Sequence, residues 1–390
     1  MESPPPLGKR ELVAQIRAQI EREGPLAFSA FMREALYAPS LGYYSSVPEL
    51  GARGDFYTAV SAGPLFGRFL AWQLAESWQH LGGPKHFSLI EQGAHRGQML
   101  ADLLTELRQT NPDLHQQLDT IVIEPDPTRR EVQATTLAAV GGQVRFVSHP
   151  TELPTGICGY FIANELVDSF PVDRARFKGG RWWELRVDWD GDRERFIELE
   201  TSLGPELVAL IQQEAPPEVE GFTVELCPEL ERWFPDLLNR FATGHLLVID
   251  YALTREERRN PARASGTLRT YFQHQLGDDP LCRVGEQDIT YHIHGTRLEE
   301  IAHGHGWTCV SLDQHRAFAG MIAAFLPEGE ERVQSLTPKD RRILQTLVHP
   351  AFLGRAFSVF SFRKGWPREA APPALEAFAP RFYRPETTSP

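Results

Sequence analysis

The stretch Leu89–Gly97, LIEQGAHRG, lies between an apolar run and a helical one, QMLADLLTELR. Gly93 and Gly97 flank the turn. Glycines there let backbone approach a ligand closely and adopt positive φ. A helix starting near Gly97 offers free N–H groups and the positive end of its dipole. The chemistry this suits is the cradling of a nucleotide-like cofactor. A dinucleotide site requires G-x-G-x-x-G. Here the turn reads G-x-x-x-G, with His95 where a further glycine would stand, which disfavours NAD or FAD and an oxidoreductase. S-adenosylmethionine (SAM) has no phosphate and presents ribose hydroxyls instead. A carboxylate ending the second strand suits those hydroxyls, and Glu124 in TIVIEP stands there, 31 residues after Gly93. On spacing alone a plain strand–helix turn competes, in which the glycines only let the helix pack tightly.

Such residues need a scaffold. FSLIEQG, TIVIEP, VRFV, GYFIANE and HLLVIDY are short apolar runs alternating with helical segments. That alternation predicts parallel strands in a doubly wound sheet. Four of the runs end in Glu91, Glu124, Asn164–Glu165 and Asp250. Ligands of open α/β sheets sit at the carboxyl ends of strands, so these polar groups share one edge. Helices are expected over 10–23, where Leu12, Ile16 and Ile20 form a stripe, over 64–80 and over 98–109. RARFKGGRWWELRVDWDGDRERFIELE alternates around KGG and DGD turns and reads as an inserted antiparallel meander. AFSVFSFRKG reads as the last core element. The expected organisation is a helical N-terminal extension (1–86), a first core part (87–172), an inserted α+β subdomain (173–244), a second core part (245–365) and a Pro-rich, loosely packed tail (366–390).

The bulk composition fits a globular protein, with 42% hydrophobic and 24% charged residues. A net charge of -12 disfavours nucleic acid and anionic membranes as partners. Cys158, Cys227, Cys282 and Cys309 show no C-x-x-C or zinc spacing, so no metal is expected and the thiols read as reduced. No apolar run is long enough for a transmembrane span. The start has neither a secretory h-region nor an organellar leader. A bacterial cytoplasmic location is therefore expected.

The segments GDFYTAVSAGPLFG, LIEQGAHRG, VIEP, ANELVDSFPV, LLVIDY, GTLRTYFQH and GEQDITYHI, in this order, resemble the MidA-like family. The resemblance spans about residues 10 to 365. It implies a SAM-dependent methyltransferase on a class I, Rossmann-like sheet with an inserted subdomain. The family's mitochondrial member is an arginine methyltransferase that assists respiratory complex I assembly, so the resemblance implies a protein substrate and arginine as acceptor. It also implies that Glu91 opens the cofactor turn, and that a loop carrying Asp55 and Thr58 closes over the cofactor. The family turn usually reads E-x-G-x-G-x-G; here His95 replaces the middle glycine and Gln98 a small hydroxyl residue. A non-catalytic assembly factor or binding module on the same fold therefore stays open.

An arginine acceptor arrives protonated, and carboxylates must hold its guanidinium in bidentate fashion. Glu165 and Asp168, after Asn164, are the expected catalytic groups, with Asn164 touching the methionine end or the substrate. The competing reading makes Asp168 a cap and Glu165 a solvated charge. Arg269, His274, Gln287 and Asp288 are expected in a structural or acceptor-channel role. Trp182 and Trp183 are expected to pack within the meander.

Overall fold

The computed structural model describes residues 6–46, 63–141, 143–273, 275–323, 337–349, 356–367 and 370–377. Among them, seven strands build the central sheet: β1 (Phe87–Gln92), β2 (Leu118–Ile123), β3 (Val144–Val147), β4 (Ile157–Asn164), β5 (Phe241–Asp250), β6 (Thr308–Asp313) and β7 (Ser358–Lys364). Their spatial order is β3-β2-β1-β4-β5-β7-β6. The strands β1 to β5 pair in parallel, and β7 runs antiparallel between β5 and β6. The order reverses between β1 and β4, the point where open α/β sheets bind ligands.

The strands read as continuous apolar runs because both faces are covered. Ile90, Ile121, Ile123 and Phe161 join one core, together with Trp233 and the N-terminal helices α1 (Arg10–Glu23) and α2 (Phe28–Tyr37). Leu89, Val122 and Ile162 join the other, beneath α3 (Leu65–His80) and α4 (Gln98–Thr110). The helix α5 (Pro127–Ala138) starts from an Asp126 cap that accepts from Thr128 and Arg129 N–H. Among the described residues, no helix is long and apolar enough to cross a membrane.

The meander forms as the KGG and DGD turns imply. Asp173–Lys178, Arg181–Asp190 and Arg195–Ser202 pair antiparallel, with Trp182 against Phe177 and Arg181 stacked 3.6 Å from the Trp183 ring. Thr223–Leu226 and the N-terminal strand Leu26–Ala27 complete this sheet, so the N-terminal region and the insert share structure. Ser29 N–H also donates to Asp173 at 3.0 Å. Sequence patterning left out β6, TCVSLD, which is mostly exposed or half-buried at the sheet edge and lacks a continuous apolar run. It also left out a three-stranded sheet of Arg269–Phe272, Gln275–Gly277 and Asp288–Thr290.

The tail expectation needs correcting for the part that is described. Leu375 is 1% exposed, and Glu376 accepts from Ser361 Oγ at 2.7 Å and from Arg363 at 2.9 Å. Ser361 Oγ also faces buried His245, whose other ring nitrogen meets Ser77 Oγ at 2.7 Å. Buried Ala374 and Leu375, the Ala374 N–H bound to Glu76 and the Glu376 carboxylate with its partners anchor this segment despite its prolines.

Candidate functional site

β1 ends in Glu91 and Gln92, and the chain then turns through Gly93 (φ 82°), His95 (φ 47°) and Gly97 (φ 80°) into α4. The turn thus alternates into the left-handed region three times. His95 holds the backbone shape that glycine would take, a conformation a non-glycine residue adopts only when its surroundings enforce it. Gln133 of α5 donates through Nε2 both to the His95 carbonyl (3.1 Å) and to Glu124 Oε2 (3.0 Å). Glu124 also accepts from Asp126 N–H at 3.0 Å, and Arg129 Nη1 stands 3.7 Å from it. Burial, with Arg129 and Arg96 nearby, pushes the His95 imidazole down to about 4, so it is neutral at pH 7.

The turn faces a cavity of about 720 Å³ lined by Glu91, Gly93, His95, Gln98, Arg129, Asn164, Glu165 and Asp168 among others. Glu91 is 2% exposed, and its Oε2 has no hydrogen-bond partner. Burial lifts this carboxyl to about 8. A buried carboxylate edge facing a cavity suits an ammonium group, because an unpaired buried charge is costly until a cation meets it. A cavity with such an edge beside exposed backbone of a left-handed turn fits an amino-acid-bearing nucleoside such as SAM. Gly97 and Glu124 stand outside the cavity lining, Gly97 as the N-cap of α4 and Glu124 at the end of β2.

β4 supplies the second group of polar residues. Asn164 ends the strand and donates from Nδ2 to Glu165 Oε1 at 3.0 Å, while its Oδ1 is buried without a partner. Glu165 takes φ 51°, which turns the chain sharply into a 3-10 turn, Val167–Ser169. Asp250, at the end of the adjacent β5, fixes that turn. It is fully buried and accepts from the N–H groups of Val167 (2.9 Å), Asp168 (3.2 Å) and Tyr251 (2.8 Å). Burial, and next the Asp250 charge, push the Glu165 carboxyl up to about 8 and raise Asp168 as well.

The structure therefore brings Glu91, Gly93, Asn164, Glu165 and Asp168 into one cavity, with Gly97 and Glu124 behind its wall. Asp55, Thr58 and His274 lie outside the described residues. Arg269 and Asp288 line the cavity, whereas Gln287 is turned inward to the carbonyls of Asp279 and Cys282. Sequence reasoning missed Tyr37, Tyr44, Tyr251 and Tyr271, which also line it. It placed Asp250 at the binding edge without its bracing role. Register could have found that role, since Ile249 pairs with Asn164 and sets Asp250 beside the β4 loop.

Comparison with known proteins agrees with this geometry. Residues 69–312 match a family described as "Putative S-adenosyl-L-methionine-dependent methyltransferase". The chain is 25% identical over 391 residues to the mitochondrial protein arginine methyltransferase NDUFAF7 homolog of Drosophila melanogaster, covering 92% of this chain and 86% of the relative. It is 25% identical over 384 residues to NDUFAF7 of Homo sapiens, covering 90% and 82%. A crystal structure of a Burkholderia thailandensis protein bound to S-adenosyl-homocysteine (SAH) superposes with a TM-score of 0.82 at 27% identity, covering 95% of each chain. The fold, the turn ending β1 and these matches lead to one assignment: the chain belongs to this family of SAM-dependent methyltransferases.

Proposed function

We propose that the protein transfers a methyl group from SAM to a guanidino nitrogen of a protein arginine. The observation that carries this is the meeting of Glu165 and Asp168 with the left-handed turn Gly93–Gly97 in one cavity. Relatives named as protein arginine methyltransferases support the choice of acceptor.

Bound SAM supplies a methyl group activated by its sulfonium sulfur. The backbone of the Gly93–Gly97 turn receives the donor, and Glu91 Oε2 holds its ammonium group. Glu124, behind the wall, accepts from Asp126 N–H and from Gln133, which also binds the His95 carbonyl, and so braces the turn from the β2 end. Glu165 and Asp168 grip the guanidinium, and the Asn164 amide pins one Glu165 oxygen while leaving the other for the acceptor. Asp250 holds the turn carrying both. The nitrogen that gains the methyl group must lose a proton. Glu165, lifted to about 8, accepts it, because a group with pKa near the working pH carries protons most effectively. Fixed placement of the two partners supplies most of the rate.

The test is transfer of tritium from methyl-labelled SAM to arginine-containing peptides. Glu165→Gln should lower turnover about 100-fold or more, in the range of a lost acid–base group, with SAH affinity unchanged within about twofold. Undiminished turnover in that variant would sink the assignment of Glu165.

A further inference from the structure

The cavity around Glu165 and Asp168 is completed by distant segments of chain. Asp288 opens the strand Asp288–Thr290 and is 3% exposed. Tyr44 Oη lies 2.8 and 3.0 Å from its two oxygens and donates to the carboxylate. Ile289 N–H binds the same group at 2.9 Å. The strand is tied to the catalytic turn, because Tyr291 N–H donates to the Asp168 carbonyl at 3.1 Å. Asp288 thereby shares the cavity with Glu165 and Asp168. Aromatic faces bound the same space: Tyr37 stacks on Tyr44 with centroids 5.4 Å apart, and Tyr251 and Tyr271 line it. A cluster of carboxylates can be mere repulsion. Here the buried Asn164 Oδ1, 8% exposed as a residue and without a partner, lines the same cavity and asks for a donor.

The shape of the missing donor follows from the arrangement. An ammonium is a compact point with three donors, which Glu165, Asp168 and Asn164 satisfy from one side. A guanidinium is a plane with five N–H groups on several edges, and it stacks on aromatic rings. Only the second has further N–H edges for a third carboxylate in the same cavity and a plane that uses the flat faces alongside.

Resting on the arginine reading above, we infer that Asp288, oriented by Tyr44, is the specificity-determining carboxylate of the acceptor site. It takes the edge of the guanidinium that Glu165 and Asp168 do not reach, and so selects arginine over lysine. Tyr44 is its positioning residue.

The experiment uses the full chain, methyl-labelled SAM, and two peptide libraries that differ only in a central arginine or lysine. Asp288→Asn keeps the shape and the Tyr44 bond while removing the charge. It should raise the apparent KM for the arginine library at least tenfold and lower the arginine-to-lysine ratio by a similar factor. SAH affinity, measured by calorimetry, should stay within twofold. Tyr44→Phe should raise the same KM about threefold or more, and it reports alone if the Asp288→Asn protein fails to bind SAH. Wild-type KM and selectivity in either SAH-binding variant, with a wild-type enzyme that labels arginine, would overturn this inference and spare the arginine reading. A wild-type enzyme that labels only the lysine library, or neither, overturns both.

Discussion

The donor wall of the cavity is one βαβ unit. β1, the Gly93–Gly97 turn, α4, β2 and α5 follow one another in the chain, and Gln133 closes the unit by joining Glu124 to the His95 carbonyl. The acidic wall is assembled from Glu165 and Asp168 on the β4 loop, Asp250 on β5 and Asp288 on a separate small sheet, with tyrosines from the N-terminal region. On the proposed reading the first wall works mainly through backbone shape, with Glu91 its one carboxylate in the cavity, and the second through charge. Substitutions should therefore separate them: donor-wall variants should change SAH affinity, and acidic-wall variants should change acceptor kinetics with a strong pH dependence.

The largest effect is expected at Gly93. A Cβ there would stand 3.2 and 3.3 Å from Leu166 side-chain atoms, at φ 82°. A β-branched residue at that φ is a genuine outlier. Gly93→Val should weaken SAH binding by about 100-fold or more, given roughly 1–3 kcal/mol of backbone strain added to the crowding. Calorimetry checks this, and affinity within threefold of wild type would mean that the turn is not the donor wall.

The acidic wall should declare itself in pH. In the proposed role Glu165 must be ionised to grip a cation and take a proton, and burial with the Asp250 charge lifts it to about 8 in the free protein. As pH falls below that value the active fraction falls, so kcat/KM for the acceptor should drop roughly tenfold per unit between about pH 8 and 6. SAH affinity should fall over the same range as Glu91, also lifted to about 8, is protonated, and Glu91→Gln should remove that slope. A flat acceptor profile would remove the proton-carrying role from Glu165.

Gln133→Ala is a smaller and more selective probe. Gln133 is fully buried and makes two bonds that hold the His95 carbonyl and Glu124. Losing them should weaken SAH about tenfold, since each net hydrogen bond contributes ~1 kcal/mol. Acceptor KM should stay near wild type. A rise in acceptor KM of the same size would show that the two walls are coupled.

The same contrast explains what could be read from the sequence. Four of the five parallel strands end in polar residues, and hydrophobic runs with glycine punctuation placed Glu91, Gly93, Asn164 and Glu165 on one edge. Those signals are local, lying within a strand or the turn after it. Tyr44 meets Asp288 across the chain, and no spacing or period encodes that pairing. β6 escaped because an edge strand with one half-exposed face carries no apolar run. The His95 departure was visible, but its left-handed φ of 47° and the bond its carbonyl accepts from Gln133 on the next helix were not. The structured tail escaped because its anchors are buried Leu375, the Glu376 carboxylate held by Ser361, and the Ala374 N–H bound to Glu76 far away in the sequence.

Glu91 gives the smallest effect and the finest separation of the walls, because it is a charge on the donor side. Its carboxyl is lifted to about 8 by burial alone, against 4.5 as its ordinary value. The folded protein therefore binds this proton more tightly than the unfolded chain does. Stability from this group is fully present below about pH 4.5 and declines as pH rises toward 8, because ionisation then favours unfolding. Glu91→Gln removes the titration while keeping the shape. Without ligand, the variant should lose less stability than wild type between pH 5 and 9, by roughly 2–4 °C in Tm for each kcal/mol recovered. With SAH added the order should reverse, since the donor's ammonium gives the wild-type carboxylate its partner and leaves the amide with a weaker one. Scanning calorimetry at the two pH values, with and without SAH, reads all four cases. A variant that is equally stabilised by SAH at pH 9 would place the ammonium elsewhere and leave the donor wall to backbone shape alone.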